Sequence, residues 1–342
     1  MHRPLRLRLD RAALQHNFRW LEQRASVPAG AAIKADGYGI GARETMRALY
    51  DAGCRTFFVS TYAEAEDLGP VPGDSSLVVL HGVGRDEVEE ALKSEARPVL
   101  NSMAQVQRWK QVAPDRPADA MLDTGMNRLG LKAGELDVLD GLTIDTLHSH
   151  LACADEDSDM NGRQLRAFAQ AAGSVPARRY AIANSAGICL GRDTSFDLVR
   201  PGLALYGGIP RSEAEGSIRQ VVRVEAQIVQ RRTVGPGESC GYGAIFVSPG
   251  GTEAAIVNIG YADGYLRGFS SSGSGFAGEF ALPVLGRVSM DLVALGCDAA
   301  PQLEEGDWVE IDYALRSASA ATGLSQYELL TTLGSRFERV WS

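Results

Sequence analysis

The stretch AAIKADGYGIG, Ala31–Gly41, places a lysine where a side-chain amine could do covalent chemistry. A short apolar run ends in Lys34. Ala35, Asp36, Gly37, Tyr38 and Gly39 then read as a loop, and a helical pattern starts near Ala42. A lysine at the mouth of a buried strand can act as a nucleophile and form a Schiff base with a carbonyl cofactor. On spacing alone a solvated surface lysine is the better reading, so the rest of the chain must decide. Ser60, His81, Asn101, Asp123, His150, Asn184 and Arg200 also stand at the ends of short apolar runs. Asn101-Ser102 and Asn184-Ser185 both fit helix N-caps as well.

These ends need elements behind them. Eight short apolar runs recur: Ala31–Lys34, Thr56–Ser60, Leu77–Leu80, Arg97–Leu100, Ala118–Asp123, Thr146–Leu151, Arg179–Asn184 and Leu198–Leu205. Helical spacing fills Arg11–Arg24, Ala42–Ala52, Ala63–Leu68, Arg85–Ser94, Ser102–Val112, Ala133–Leu139 and Asp159–Ala172. Strands alternating with helices in this number predict an α/β fold, a (β/α)8 barrel, whose strand ends share one rim. A doubly wound open sheet competes, but no GxGxxG follows the first run.

The texture changes near Arg211–Gln220. VVRVEAQIVQRRTV alternates like a strand, and glycine and proline become frequent. Glu253–Ile259, Leu282–Leu285, Leu292–Leu295 and Trp308–Ile311 read as strands. Ser270–Gly278 reads as a flexible loop and Gly323–Leu333 as a helical tail. The division predicted is a barrel over residues 9–214 and a mainly β domain over 215–342, with residues 1–8 able to pack with the latter.

The chain has 342 residues, room for a barrel and a second domain. A net charge of −9 argues against a nucleic-acid footprint and against an anionic membrane surface. No apolar run approaches a membrane span, so the cytoplasm is the default compartment. Cys54, Cys153, Cys189, Cys240 and Cys297 are scattered without CxxC spacing, which suggests neither a disulfide framework nor a metal site.

Set beside AAIKADGYGIG, the motifs LDTGMNRLG, HSHLA, ANSAG, FDLVRPGLALYGG, CGYGAIF, IGYADGYLRGF and GRVSMDLV follow in order. With them the chain resembles the alanine racemase family, the fold-type III pyridoxal 5'-phosphate (PLP) enzymes. The resemblance runs nearly end to end. It implies that Lys34 holds PLP covalently and serves as the base on the D face. Tyr242, in CGYGAIF, matches the opposite base. A free tyrosine has a pKa of about 10, so Tyr242 requires cationic or hydrogen-bonding help. Arg200 matches the arginine facing the pyridine nitrogen, and His150 the histidine that contacts this arginine. Tyr38, Asn184, Ser185, Gly202 and Leu203 match the phosphate cradle. Arg128 and the backbone at Met290 match the substrate-carboxylate contacts, and Tyr261 and Asp291 line the entrance. The resemblance also implies a head-to-tail homodimer with shared sites, acting in D-alanine supply for peptidoglycan.

Three positions depart from the family pattern. Met121 stands where a carbamylated lysine is common, Ile40 where a histidine is usual, and Ser335 near a usual tyrosine. These leave substrate range open. A broad-specificity racemase for serine or basic amino acids is one alternative. A non-catalytic PLP-binding protein is another, but such chains resemble the barrel alone. A decarboxylase on the same fold is a third, and its second-domain cysteine motif is absent here.

Overall fold

The computed structural model describes residues 2–342. It divides into two compact units. One is Leu14–Arg219; the other joins the N-terminal segment through Ala13 to Gln220–Ser342.

Strand β1 (Leu5–Leu9) belongs to the second of these. The barrel unit carries seven parallel strands in sequential order: β2 (Ala31–Ala32), β3 (Thr56–Val59), β4 (Ser76–Val79), β5 (Arg97–Leu100), β6 (Ala118–Met121), β7 (Ile144–His148) and β8 (Arg179–Ala181). Their residues are mostly buried, as in strands enclosed by helices, although β6 and β7 also bury Asp119, Asp145, Thr146 and His148. Phe58, Val78, Val99, Met121, Ala181 and Leu198 form one buried cluster, with Leu80 against it. Each comes from a different strand or its neighbouring segment, so this is a layer of the filled barrel interior.

The eighth run is not a regular strand. Val199 makes a single parallel bridge with Ala29. Gly30 N donates to Val199 O, Ala32 N to Pro201 O, and Arg200 N to Ala183 O, at 2.8–3.0 Å. Those bonds close the ring on both sides. Pro201 has no N–H to continue a ladder, and Leu203–Tyr206 turns into a 3-10 helix.

Helices cover the strands. Arg11–Ala25, Ala42–Asp51, Tyr62–Leu68, Met103–Val112 and Asp159–Ala172 agree closely with the periodicity. Ala133–Leu139 is a 3-10 helix instead. Ser102 caps its helix by accepting from Gln105 N, and Asn184 caps Ser185–Leu190 by accepting from Gly187 N.

The other unit is mainly β. Its strands are β1, β9 (Val222–Val234), β10 (Ser239–Cys240), β11 (Phe246–Val247), β12 (Thr252–Val257), β13 (Ser274–Ala277), β14 (Phe280–Pro283), β15 (Val293–Gly296), β16 (Trp308–Ile311) and β17 (Glu338–Trp341). The long β9 pairs with β1, β12 and β16. The expected loop Ser270–Gly278 holds β13, hydrogen-bonded to β14 and β16. Gly275 there faces Val309 and Leu295, leaving a side chain only 2.8 Å. Its glycine signals close packing, not mobility. Helices Leu315–Thr322 and Gln326–Thr331 precede β17. No helix of the described residues is long and apolar enough to cross a membrane.

Asn17, fully buried, anchors the turn after the closing segment. Its amide donates to Leu205 O at 3.1 Å and Arg219 O at 2.8 Å, and its oxygen accepts from Arg219 N at 2.8 Å. Asn17→Ala leaves these groups unpaired and is expected to lower stability by roughly 2–4 kcal/mol, read by urea unfolding.

Candidate active site

Lys34 follows β2 and is half-buried. The next residues form a turn rather than an irregular loop. Ala35, Asp36, Gly37 and Tyr38 all lie in the left-handed region, at φ 52°, 51°, 62° and 54°. Left-handed non-glycine residues cost about 1–2 kcal/mol each, so the surroundings must hold the turn. Glu64 does so from helix Tyr62–Leu68: Oε1 accepts from Ala35 N at 2.8 Å and Oε2 from Ser60 N at 2.6 Å. Asp36 Oδ1 accepts from Ala42 N at 2.9 Å. The sequence reading did not single out Glu64, although Thr61-x-x-Glu64 has capping-box spacing.

The turn brings Tyr38 inward. Its ring stacks on Tyr206 at 4.5 Å, and its hydroxyl lies against Gly202. A Cβ at Gly202 would stand 2.2 Å from that oxygen. Ser185 Oγ accepts from Gly202 N at 3.0 Å and Ala204 N at 3.2 Å. The N–H groups of Ser185, Ala186 and Leu203 have no partner among the described residues. Asn184, Ser185, Gly202, Leu203 and Tyr38 are thus brought together around free donors suited to an anion.

Arg200 lies in the barrel interior, 8% exposed. Its Nη1 donates to Ala181 O at 2.7 Å and His148 Nδ1 at 3.1 Å, and Nη2 donates to Ser149 O at 2.6 Å. Burial lowers its pKa to about 10, so it remains charged near neutrality. One Nη2 hydrogen and the Nε hydrogen remain without a protein acceptor.

The histidine holding Arg200 is therefore His148, not His150. His150 follows two residues later, and its carbonyl accepts from Gln164. Burial, then the charges of Arg200, Arg128 and Lys34, lower its pKa to about 3. His150 consequently stands neutral near neutral pH, close to Arg200 and Arg128. His148 is fully buried, and burial outweighs its Asp119 hydrogen bond to put its pKa at about 4.

Lys34 feels the same cluster. Burial lowers its pKa first, then Arg128; Glu64 opposes this, and Arg200 adds to it. Arg128 is exposed, with no hydrogen-bond or ion-pair partner among the described residues. Asp123 Oδ1 shapes its loop by accepting from Gly125 N at 2.9 Å and Asn127 N at 3.1 Å.

The remaining predicted residues lie on the β unit. Tyr242 opens a 3-10 turn after β10 and is 69% exposed. Arg287 flanks that turn, with its guanidinium carbon 3.4 Å from a Cβ at Gly243. Met290 O accepts from Ala262 N, and Ser289 O from Tyr261 N, each at 3.0 Å. The Met290 side chain is exposed. Arg267 lies over the Tyr261 ring. Asp291 pairs with Arg336 at 2.7 Å, and Arg336 also binds Asp263 at 2.6 Å.

Profiles of two domains cover this arrangement: alanine racemase, N-terminal domain, over residues 9–210, and alanine racemase, C-terminal domain, over 221–341. The chain belongs to the alanine racemase family. Curated alanine racemases from Methylobacterium nodulans and Rhodospirillum rubrum are 39% and 38% identical to it. The matches span 98% and 97% of this chain and 95% and 94% of theirs. The crystal structure of alanine racemase from Bartonella henselae, with covalently bound pyridoxal phosphate, has a TM-score of 0.92 and 35% identity, covering 99% of each chain. The biosynthetic alanine racemase of Pseudomonas aeruginosa has a TM-score of 0.89 and 30% identity over 100% of each. Membership makes this chain a PLP-dependent isomerase.

The departures from the alanine racemase pattern have structural settings. Met121 packs in the apolar barrel layer, where burying an unpaired charge would be costly. Ile40 is fully buried. Beside Ser335, Arg336 reaches Asp291 and Asp263, a role the sequence reading missed.

The buried histidines set an acid limit. Below pH 6.5 the unfolded chain takes up a proton at His148; the folded chain does so only near pH 4. Stability should therefore fall as pH drops through that window, by about 3 kcal/mol from this ring. Urea unfolding at pH 7 and pH 4.5 measures it, and His148→Gln should remove that ring's share while leaving the share from His150.

Proposed function

We propose that this chain interconverts L-alanine and D-alanine by a two-base mechanism in which Lys34 and Tyr242 are the bases. The observation that carries the reading is the set of groups around Lys34: a desolvated amine, two arginines with spare N–H donors, and a cradle of free backbone N–H groups. Such a set suits a phosphate, a carboxylate and an electrophilic carbon, which fits PLP and an amino acid. When bound, PLP supplies a carbon that captures the amino group and a conjugated ring that spreads charge from Cα.

The protein's part follows from its own groups. The N–H donors of Ser185, Ala186 and Leu203, with the Tyr38 hydroxyl, bind the phosphate. Asn184 orients the helix that supplies two of them, and Gly202 leaves room for Tyr38. Arg200 stays protonated, and its spare N–H groups would hold the ring nitrogen by donation, leaving it without a proton of its own. By withholding a proton from that nitrogen, Arg200 would weaken the ring's pull on electrons and so favour return of the proton to Cα. Arg128, with the backbone at Met290, binds the substrate carboxylate. Burial, then Arg128, lower the pKa of Lys34, which favours the neutral amine that a base acting at Cα requires. Tyr242 Oη handles the proton on the opposite face. One base alone would return each proton to the face it left.

Tyr242 and Met290 stand 69% and 53% exposed, beside the exposed Ile245, Val247 and Leu292. Such a surface supports a head-to-tail homodimer in which these residues complete the partner's site. Tyr261 and Asp291 line the entrance in this reading, and His150 contributes a neutral ring beside the cations. The product serves peptidoglycan synthesis, in the cytoplasm.

Lys34→Ala should abolish both cofactor absorbance and turnover. Tyr242→Phe should keep the absorbance and lower L-to-D turnover by roughly 10²–10⁴-fold; full-rate racemisation by that variant overturns the two-base assignment. A chiral product assay across L-alanine, L-serine and L-lysine should give D-alanine as the dominant product. Comparable turnover of serine or lysine supports instead the broad-specificity reading suggested by Ser335.

A further inference from the structure

Arg200 is one end of a line of buried and part-buried charged and polar groups drawn from four neighbouring strands, β5 to β8. His148, at the end of β7, accepts from Arg200 Nη1 at Nδ1. On its other side, Nε2 lies 2.9 Å from Asp119 Oδ2, in β6. Asp119 Oδ1 accepts from Arg97 Nε at 3.0 Å, at the start of β5. Arg97 and Arg179 both continue to Asp145, at 3.1 and 2.6 Å. Asp119 and His148 are each 0% exposed, and Phe58 sets its ring edgewise to the imidazole at 85°.

The hydrogen count dictates a tautomer. Arginine only donates, so His148 Nδ1 must be bare to face Arg200. A carboxylate only accepts, so Nε2 must carry the proton toward Asp119. Both demands are met by one neutral form of the ring. Reversing it would set an N–H against the guanidinium and a lone pair against the carboxylate.

We propose that Asp119 is a positioning residue for the racemase reaction: it selects the Nε2–H tautomer of His148, which aims the free N–H groups of Arg200 at the cofactor's ring nitrogen. The inference rests on the functional reading above, since that reading assigns Arg200 its partner. Asp119 itself touches neither cofactor nor substrate in it. The alternative is a buried ion-pair network that only stabilises the barrel. In Asp119→Asn, the amide oxygen faces the charged Arg97 and the amide N–H₂ faces His148 Nε2. That arrangement drives the imidazole proton to Nδ1, against Arg200.

The test combines two readouts on the full-length protein. With ¹⁵N-histidine labelling, NMR of the wild type should report His148 protonated at Nε2, and Asp119→Asn should shift the proton to Nδ1. The variant should keep PLP but show a displaced absorption maximum, a kcat lowered about tenfold or more, and a KM for L-alanine within about twofold. An unchanged absorption maximum with wild-type kcat overturns the proposal. If Asp119→Asn does not fold, the wild-type spectrum decides: Nε2–H upholds the tautomer assignment and Nδ1–H overturns it. Failure of the racemase reading is distinct, because the wild type itself would then bind no PLP or produce no D-alanine.

Discussion

The barrel unit depends on keeping one guanidinium charged inside a closed ring of strands. Removing a charge from water is expensive unless its hydrogen bonds are replaced. Arg200 meets that demand with two backbone carbonyls and one imidazole, from β8 and the end of β7. Its own backbone N–H closes the ring by donating to Ala183 O. The same residue therefore joins the fold's last seam to the candidate site's deepest charge. Its neighbours are constrained in turn: His148 must stay neutral, and Asp119 must stay available as an acceptor.

A second constraint lies at the rim. The left-handed turn from Ala35 to Tyr38 is locally unfavourable, and Glu64 and Asp36 offset the strain through backbone donors. That turn directs the Tyr38 ring onto Tyr206 and its hydroxyl onto Gly202. Strain of this kind persists only where surrounding contacts over-determine it. Here it lies immediately after the lysine on which the proposed chemistry turns. Rigid placement of Lys34 and of the cradle are one structural problem, solved by one turn.

Much of the architecture was legible in the apolar runs. Residues buried on both faces between helical segments have few other arrangements open to them. The eighth run was misread in its form because its apolar pattern outlasts its hydrogen bonding; Pro201 ends the ladder that Val199 begins. Ser270–Gly278 was misread for a different reason. Composition signalled flexibility, whereas Gly275 serves close packing against Val309.

The sequence by itself determined the family, the cofactor class and most groups gathered about Lys34, because these rest on residue types in a fixed order. Tertiary structure alone decided which histidine holds Arg200. His148 and His150 are two residues apart and share one strand-like periodicity, so pattern cannot separate them. Depth along the barrel does. His148 lies within β7, where Asp119 of β6 and Arg200 both reach it; His150 stands beyond the last paired residue. Asp119 and Glu64 likewise carry no motif of their own. Their roles come from carboxylates held within hydrogen-bond reach across neighbouring strands and turns, a distance that no linear spacing encodes.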